Sequence, residues 1–270
     1  MSVGLKLRTY WRLGPMNLAR VGLYRLGLRT GLHPVQKVRR EIGGADFFAQ
    51  PSASIDLPVP EVWRDNTFSF GWHKAPLPND VPDWHRSPFD GNQAGGSDKP
   101  WWTLSDFDLP VGDIKTVWEL SRMDWVLTLA QRAATGDANE LVRLNAWLSD
   151  WCAANPAFLG VNWKCGQEAS IRVMHLALAA RLLGQETAPS ADLTRLLEAH
   201  LARIQPTLSY AMAQDNNHGT SEAAALFIGG GICEAGGVTH GAAWAREGRR
   251  WLENRAAVWW PGTAASASIP

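Results

Sequence analysis

The sequence carries no excess charge of either sign. Its 26 Lys and Arg balance 26 Asp and Glu, so no global field draws in nucleic acid, which is not an expected partner. An anionic ligand has to be held by local groups instead. Cysteine is scarce: Cys152, Cys165 and Cys233 lie far apart with no C-x-x-C spacing, which argues against a disulfide framework or a zinc site. No His or Cys cluster has metal-ligand spacing, so neither a metal nor another cofactor is expected. No window of about 18 apolar residues is present to cross a membrane. Lys6, Arg8, Arg12, Arg20, Arg25 and Arg29 interrupt what would have to be the apolar region of a secretory signal. These cations read as the solvated face of an amphipathic helix. Contact of that helix with a membrane surface is the alternative, and it is not expected.

Tyrosine is rare as well, at 3 residues, whereas tryptophan reaches 15. Flat platforms for sugar rings are one explanation. Interhelical packing is the stronger one for any single Trp, because a large apolar side chain with one donor is a natural core anchor. Residues 1–45 read as one or two amphipathic helices, with Leu18, Val21, Leu26 and Leu28 at helix-compatible intervals. Residues 46–112 are dense in proline and glycine, which excludes long helices and leaves loops and short strands. Their aromatics, among them Trp63, Trp72, Trp84 and Trp101, predict an arm packed on the body, since a disordered linker would be poor in them.

From 113 to 258, apolar residues spaced by three or four predict helices over 114–134, 140–153, 167–183, 192–213, 220–234 and 240–258. Gly136-Asp137, Asn155-Pro156, Gly184, Pro189 and Gly236-Gly237 punctuate them. Short connections make antiparallel helical hairpins, so the expected class is all-α. The residues alone leave open whether the hairpins stack as an open superhelix or close into an (α/α) ring. The closing segment 259–270 has neither helical periodicity nor a strand pattern.

Three segments resemble the helical domain of heparinase II/III-like polysaccharide lyases, a group that includes similar alginate lyases. They are DIKTVWELSRMDW (113–125), NPAFLGVNWKCGQEASIRVMHL (155–176) and LSYAMAQDNNHGTSEAAALFIGG (208–230). The third is the most specific, because packing does not demand an Asn-His pair opening a small-residue helix. The resemblance spans about residues 100–258. It implies an incomplete (α/α) toroid of antiparallel hairpins over 113–258, preceded by the Pro/Trp-rich irregular arm. It also implies elimination at a uronic acid of an acidic polysaccharide, the expected partner. The proton on C5 leaves, the 4-linked sugar is expelled, and an unsaturated product remains. That proton is weakly acidic while the neighbouring carboxylate is ionised, so the site must hydrogen-bond the carboxylate as charge builds. In the family an Asn does this, helped by a His, and a Tyr supplies the base and acid chemistry. Carried onto this chain, Asn217 and His218 are the expected catalytic pair, at a helix start that favours an anion. A plain helix cap by Asn217 or Thr220 is the competing reading.

Gln214, Trp163, Trp118, Arg122, Glu222, Glu168 and Arg172 complete the expected substrate site. Trp163, in a Gly-Val-Asn-Trp loop, is the candidate platform. Trp118 and Arg122, with Glu119, line the same cleft. Glu222, one turn after His218, orients its ring or is a solvated residue. Glu168 and Arg172 have the i, i+4 spacing of a helix-surface salt bridge, the stronger reading of that pair. His175 reads as core. The sequence then departs from the family's pattern. No tyrosine follows His218, and Tyr210 is not at the matching position. Family members continue from about residue 259 with a Pro-Asp-Gly-Ser-Phe-like turn into a β-sandwich. Shifting plausible codons for Thr263 to Ser266 by two bases restores Gly-Ser-Phe, so the expectation is a frame-shifted, truncated lyase of impaired activity. The competing classes are a non-catalytic carbohydrate-binding or scaffold protein, and a glycoside hydrolase or epimerase on a similar toroid. The latter needs paired carboxylates, and the spacing of Asp124, Glu168 and Glu222 implies no pairing. The compartment stays open between the periplasm, implied by the resemblance, and the cytoplasm, implied by the missing signal pattern.

Overall fold

Side-chain caps and chain breakers set the helix boundaries in the computed structural model. It describes residues 3–51, 67–70, 73–76, 80–105 and 112–259; Trp63, Trp72 and the tail 260–270 lie outside the described residues. The chain is mostly helical, of the all-α class. Helix α1 (Val3–Thr30) bends at Gly14, whose φ of 74° is open to glycine, and resumes at Pro15, whose ring suits a first helical turn. A short hairpin pairs β1 (Thr67–Phe70) with β2 (His73–Pro76), Thr67 opposite Pro76. The body follows as α2 (Lys115–Ser121), α3 (Asp124–Ala134), α4 (Ala138–Ala154), α5 (Gly166–Leu182), α6 (Ala191–Ile204), α7 (Leu208–Ala213), α8 (Asn217–Ala235) and α9 (Gly241–Trp259).

Caps hold three of the starts. Asp137 accepts from the Asn139 amide at 3.0 Å, Ser190 from Leu193 at 3.1 Å and Asn216 from His218 at 3.0 Å, each satisfying a first-turn N–H that has no helical partner. The cap of α8 is therefore Asn216, not Asn217 or Thr220. Two expected single helices are each broken. The run 114–134 splits at Met123, which is left-handed at φ 66° although it is not glycine. The run 192–213 splits at Pro206, which has no N–H to donate and opens a 3-10 turn over Gln205–Thr207 between α6 and α7.

The α8–α9 pair packs closest, through glycine. A Cβ on Gly241 would meet the Glu234 amide at 2.4 Å, one on Gly230 the Ala245 amide at 2.5 Å, and one on Gly248 the Phe227 amide at 2.4 Å. Position rises along α9 as it falls along α8, so the two helices run antiparallel, as their short connection requires.

The arm packs into the body's core. Phe47, Phe48, Trp84 and Trp101 are buried in one cluster with Trp125, Trp147, Trp151 and Trp163. Polar pins fix it: Asn145 accepts from the Phe48 amide at 2.9 Å and returns a bond to its carbonyl at 2.8 Å, and the Trp84 indole donates to Asp150 at 2.7 Å. Most of the described tryptophans are thus interhelical anchors. Helix α1 lies against α7, with Tyr24 stacked on Tyr210 at 4.0 Å between ring centroids.

Candidate functional site

The starts of α5 and α8 lie side by side because Gly166 lets them. A Cβ there would stand 2.4 Å from Glu222 Oε1, so the first turn of α5 is open only to glycine without displacing that carboxyl. Glu168 sits in the same turn and is gripped by Arg122, whose Nε and NH2 reach its two oxygens at 2.7 and 3.0 Å. Arg122 also pairs with Glu119. Burial works against the Arg122 cation, yet the carboxylates of Glu168 and Glu119 outweigh it and raise its pKa. Burial raises Glu119, against the pull of Arg122. The left-handed Met123 turns the chain immediately after Arg122, and His175 Nδ1 closes on the Arg122 carbonyl at 2.7 Å and on Asp124 Oδ1 at 3.3 Å. His175 is half-buried at this junction rather than core.

On the α8 side, Asn217 is exposed and His218 and Gln214 are half-buried. Burial lowers the His218 pKa, with the negative charge of Glu168 pulling the other way, so the imidazole is neutral at pH 7. Glu222 corrects the expectation of a solvated residue. It is buried, its Oε2 has no hydrogen-bond partner among the described residues, and burial pushes its pKa up to about 8 against the nearby Arg203 cation. At neutral pH it is a carboxylic acid. Part of Cys165 reaches the surface, but its thiol is enclosed and burial holds it protonated, at about 11.

Three expectations give way. Trp163 is not a platform: it is fully buried at 0 % exposure, its indole donating to the Asn155 carbonyl at 3.0 Å. Glu168 and Arg172 form no helix-surface salt bridge. Glu168 pairs with Arg122, while Arg172 is fully buried between Trp151 and Trp163 and donates to His200 Nε2 at 2.8 Å and the Asn162 carbonyl at 2.7 Å. Burial lowers Arg172 to about 10, still a cation at neutral pH. The third is Trp118, which is buried, its indole donating to the Val161 carbonyl at 2.9 Å, and presents no ring to a cleft. The structure therefore brings Arg122, Glu168, His218 and Glu222 together, with Asn217 at their solvent edge, and withdraws Trp163, Arg172 and Trp118 into the packing. Sequence reasoning missed the Asp124–His175 pair, because His175 lies among apolar residues and its partner is brought by a turn with no glycine or proline to announce it.

Two surface clefts lie elsewhere. One of about 580 Å³ is lined by Arg40, Glu198 and the turn Gly236 to His240; the other, of about 620 Å³, runs along α4 beside Asn145 and Asp150. Neither holds titratable groups arranged as they are at the α5–α8 junction. Among the described residues no group of His, Cys, Asp and Glu could hold a metal ion. Comparison with protein-family models, with curated proteins and with solved structures finds no match.

Proposed function

We propose that the chain is a polysaccharide lyase of the heparinase II/III type, built on an incomplete (α/α) toroid and acting on a uronate-containing polysaccharide. Asn217 donates its amide to the sugar carboxylate at the start of α8, and His218 beside it supplies a neutral imidazole. The observation that carries this reading is their placement together: an exposed amide and a half-buried, uncharged imidazole on the first turn of one helix, backed by the Arg122–Glu168 ion pair. A helix N-terminus favours an anion there, and Asn216 occupies the His218 amide without filling the turn. With the carboxylate held, C5 becomes more acidic and its proton can leave.

One observation favours glycoside hydrolysis as a second reading. Glu222, protonated at neutral pH, adjoins the first turn of α5, which also carries the Arg122-paired Glu168, and a hydrolase needs two carboxyls at one site. Products and binding together decide. Incubation with heparan sulfate, alginate and a bacterial acidic exopolysaccharide, beside a neutral glucan, is expected to show binding to polyuronates only and an ultraviolet-absorbing unsaturated product. Asn217→Ala should reduce both by about 10²-fold or more. Reducing ends without absorbance would favour hydrolysis, and equal binding of the neutral glucan would overturn the carboxylate site.

A further inference from the structure

Helix α1 has two apolar stripes, and the body uses one. Tyr24 and Leu28 face inward, Tyr24 stacked on Tyr210 and Leu28 packed on the core. Arg20 stands over Trp251 at 6.0 Å. On the opposite side Met16, Leu23 and Leu26 are 68 %, 70 % and 59 % exposed, and Leu32 just past the helix is 70 % exposed. Met16, Ala19, Leu23 and Leu26 follow one another at the three- and four-residue steps of a single helix face. Lone exposed leucines are ordinary, but a row of them on one helix marks an interaction surface.

Charge identifies what covers this face. The first 40 residues hold nine Lys and Arg and no Asp or Glu, although the whole chain balances at 26 of each. Arg25 and Arg29 are exposed, flank the apolar row one turn apart, and have no carboxylate partner among the described residues. A protein partner would have to offer a carboxylate opposite each arginine beside an apolar patch, whereas long cations beside exposed leucines fit, with no such matching, an interface in which apolar chains lie beneath a layer of negative charge. A soluble polyanion would engage the arginines but offer nothing to the leucines. No helix among the described residues is long and apolar enough to cross a membrane, so the contact is with a surface.

We propose that the outer face of α1 docks the protein on an anionic lipid bilayer, with Met16, Leu23 and Leu26 entering the headgroup boundary and Arg25 and Arg29 pairing with lipid phosphates. The inner face stays on α7 throughout, so docking needs no unfolding. The proposal does not depend on the lyase reading, since it uses no residue of that site.

Co-sedimentation of the full chain with phosphatidylcholine vesicles containing about a third phosphatidylglycerol, against phosphatidylcholine alone, tests it. The expected result is binding to the anionic vesicles that weakens with salt. It should fall about tenfold or more both in Leu23→Asp with Leu26→Asp and in Arg25→Gln with Arg29→Gln. Val142→Asp, an equally exposed apolar position on α4, should leave it unchanged. Circular dichroism checks that the variants fold, and the arginine pair changes no apolar side chain. Equal binding to both vesicle types, or binding that the leucine pair leaves intact, overturns the proposal. So does a dimer without lipid that Leu23→Asp dissociates while no vesicle binds, which would make the face a protein interface.

Discussion

Replacing Glu222 by Gln should flatten the pH dependence of stability between pH 4.5 and about 8. Glu222 is wholly enclosed between α8 and the first turn of α5, and burial pushes its pKa from 4.5 up to about 8. The folded chain therefore keeps a proton that the unfolded chain gives up. The contribution to stability is fully present below pH 4.5 and is lost as pH rises through about 8. At about 1.36 kcal/mol per pH unit the whole interval sets an upper bound of about 5 kcal/mol, and the span from pH 6 to pH 9 covers about 2 to 3 kcal/mol of it. Glutamine has nearly the same shape and cannot ionise, so it leaves the packing and removes the titration. Urea denaturation at pH 6 and pH 9 reads this directly. The wild type should lose about 2 to 3 kcal/mol more than the variant over that span, any loss common to both chains belonging to other groups such as the enclosed thiols. Parallel pH profiles for the two chains would mean that Glu222 is ionised at neutral pH, and would remove the acid from the site.

Gly248→Val should destabilise the chain by about 1 to 3 kcal/mol or more, because its side chain would enter the backbone of α8 near Phe227; thermal unfolding measures it. Trp163→Ala should cost about 3 to 5 kcal/mol by denaturant titration, the penalty of a core cavity, where loss of a sugar platform would leave stability untouched. Arg122→Gln should cost about 3 kcal/mol or more at pH 7, since it leaves the buried Glu168 carboxylate without its cation.

Helices were the legible part of this fold. Gly136, Asn155, Gly184 and Gly237 mark ends that the chain chemistry enforces, and Asp137 and Ser190 are the caps such ends call for. Pro206 was in plain view, and its break follows from the missing donor. Met123 was not, because nothing in its side chain demands a left-handed backbone; the surrounding packing imposes it. The motif at Asn217 and His218 was legible as a string, and its partners were not. Glu168 and Arg172 illustrate why: i, i+4 spacing states that two residues share a helix face, but not that α2 delivers Arg122 to one and α6 delivers His200 to the other. The tryptophan surplus was ambiguous for the same reason, since composition counts anchors and platforms alike while burial separates them.

Nuclear magnetic resonance of the Asn217 and His218 side chains during titration with a uronate oligosaccharide reads the proposed grip of that amide and imidazole on a sugar carboxylate. The Asn217 amide and His218 ring signals should shift together and saturate, and the reduced, uncharged form of the same oligosaccharide should move neither. Signals at both residues that stay fixed while the oligosaccharide binds elsewhere would contradict it.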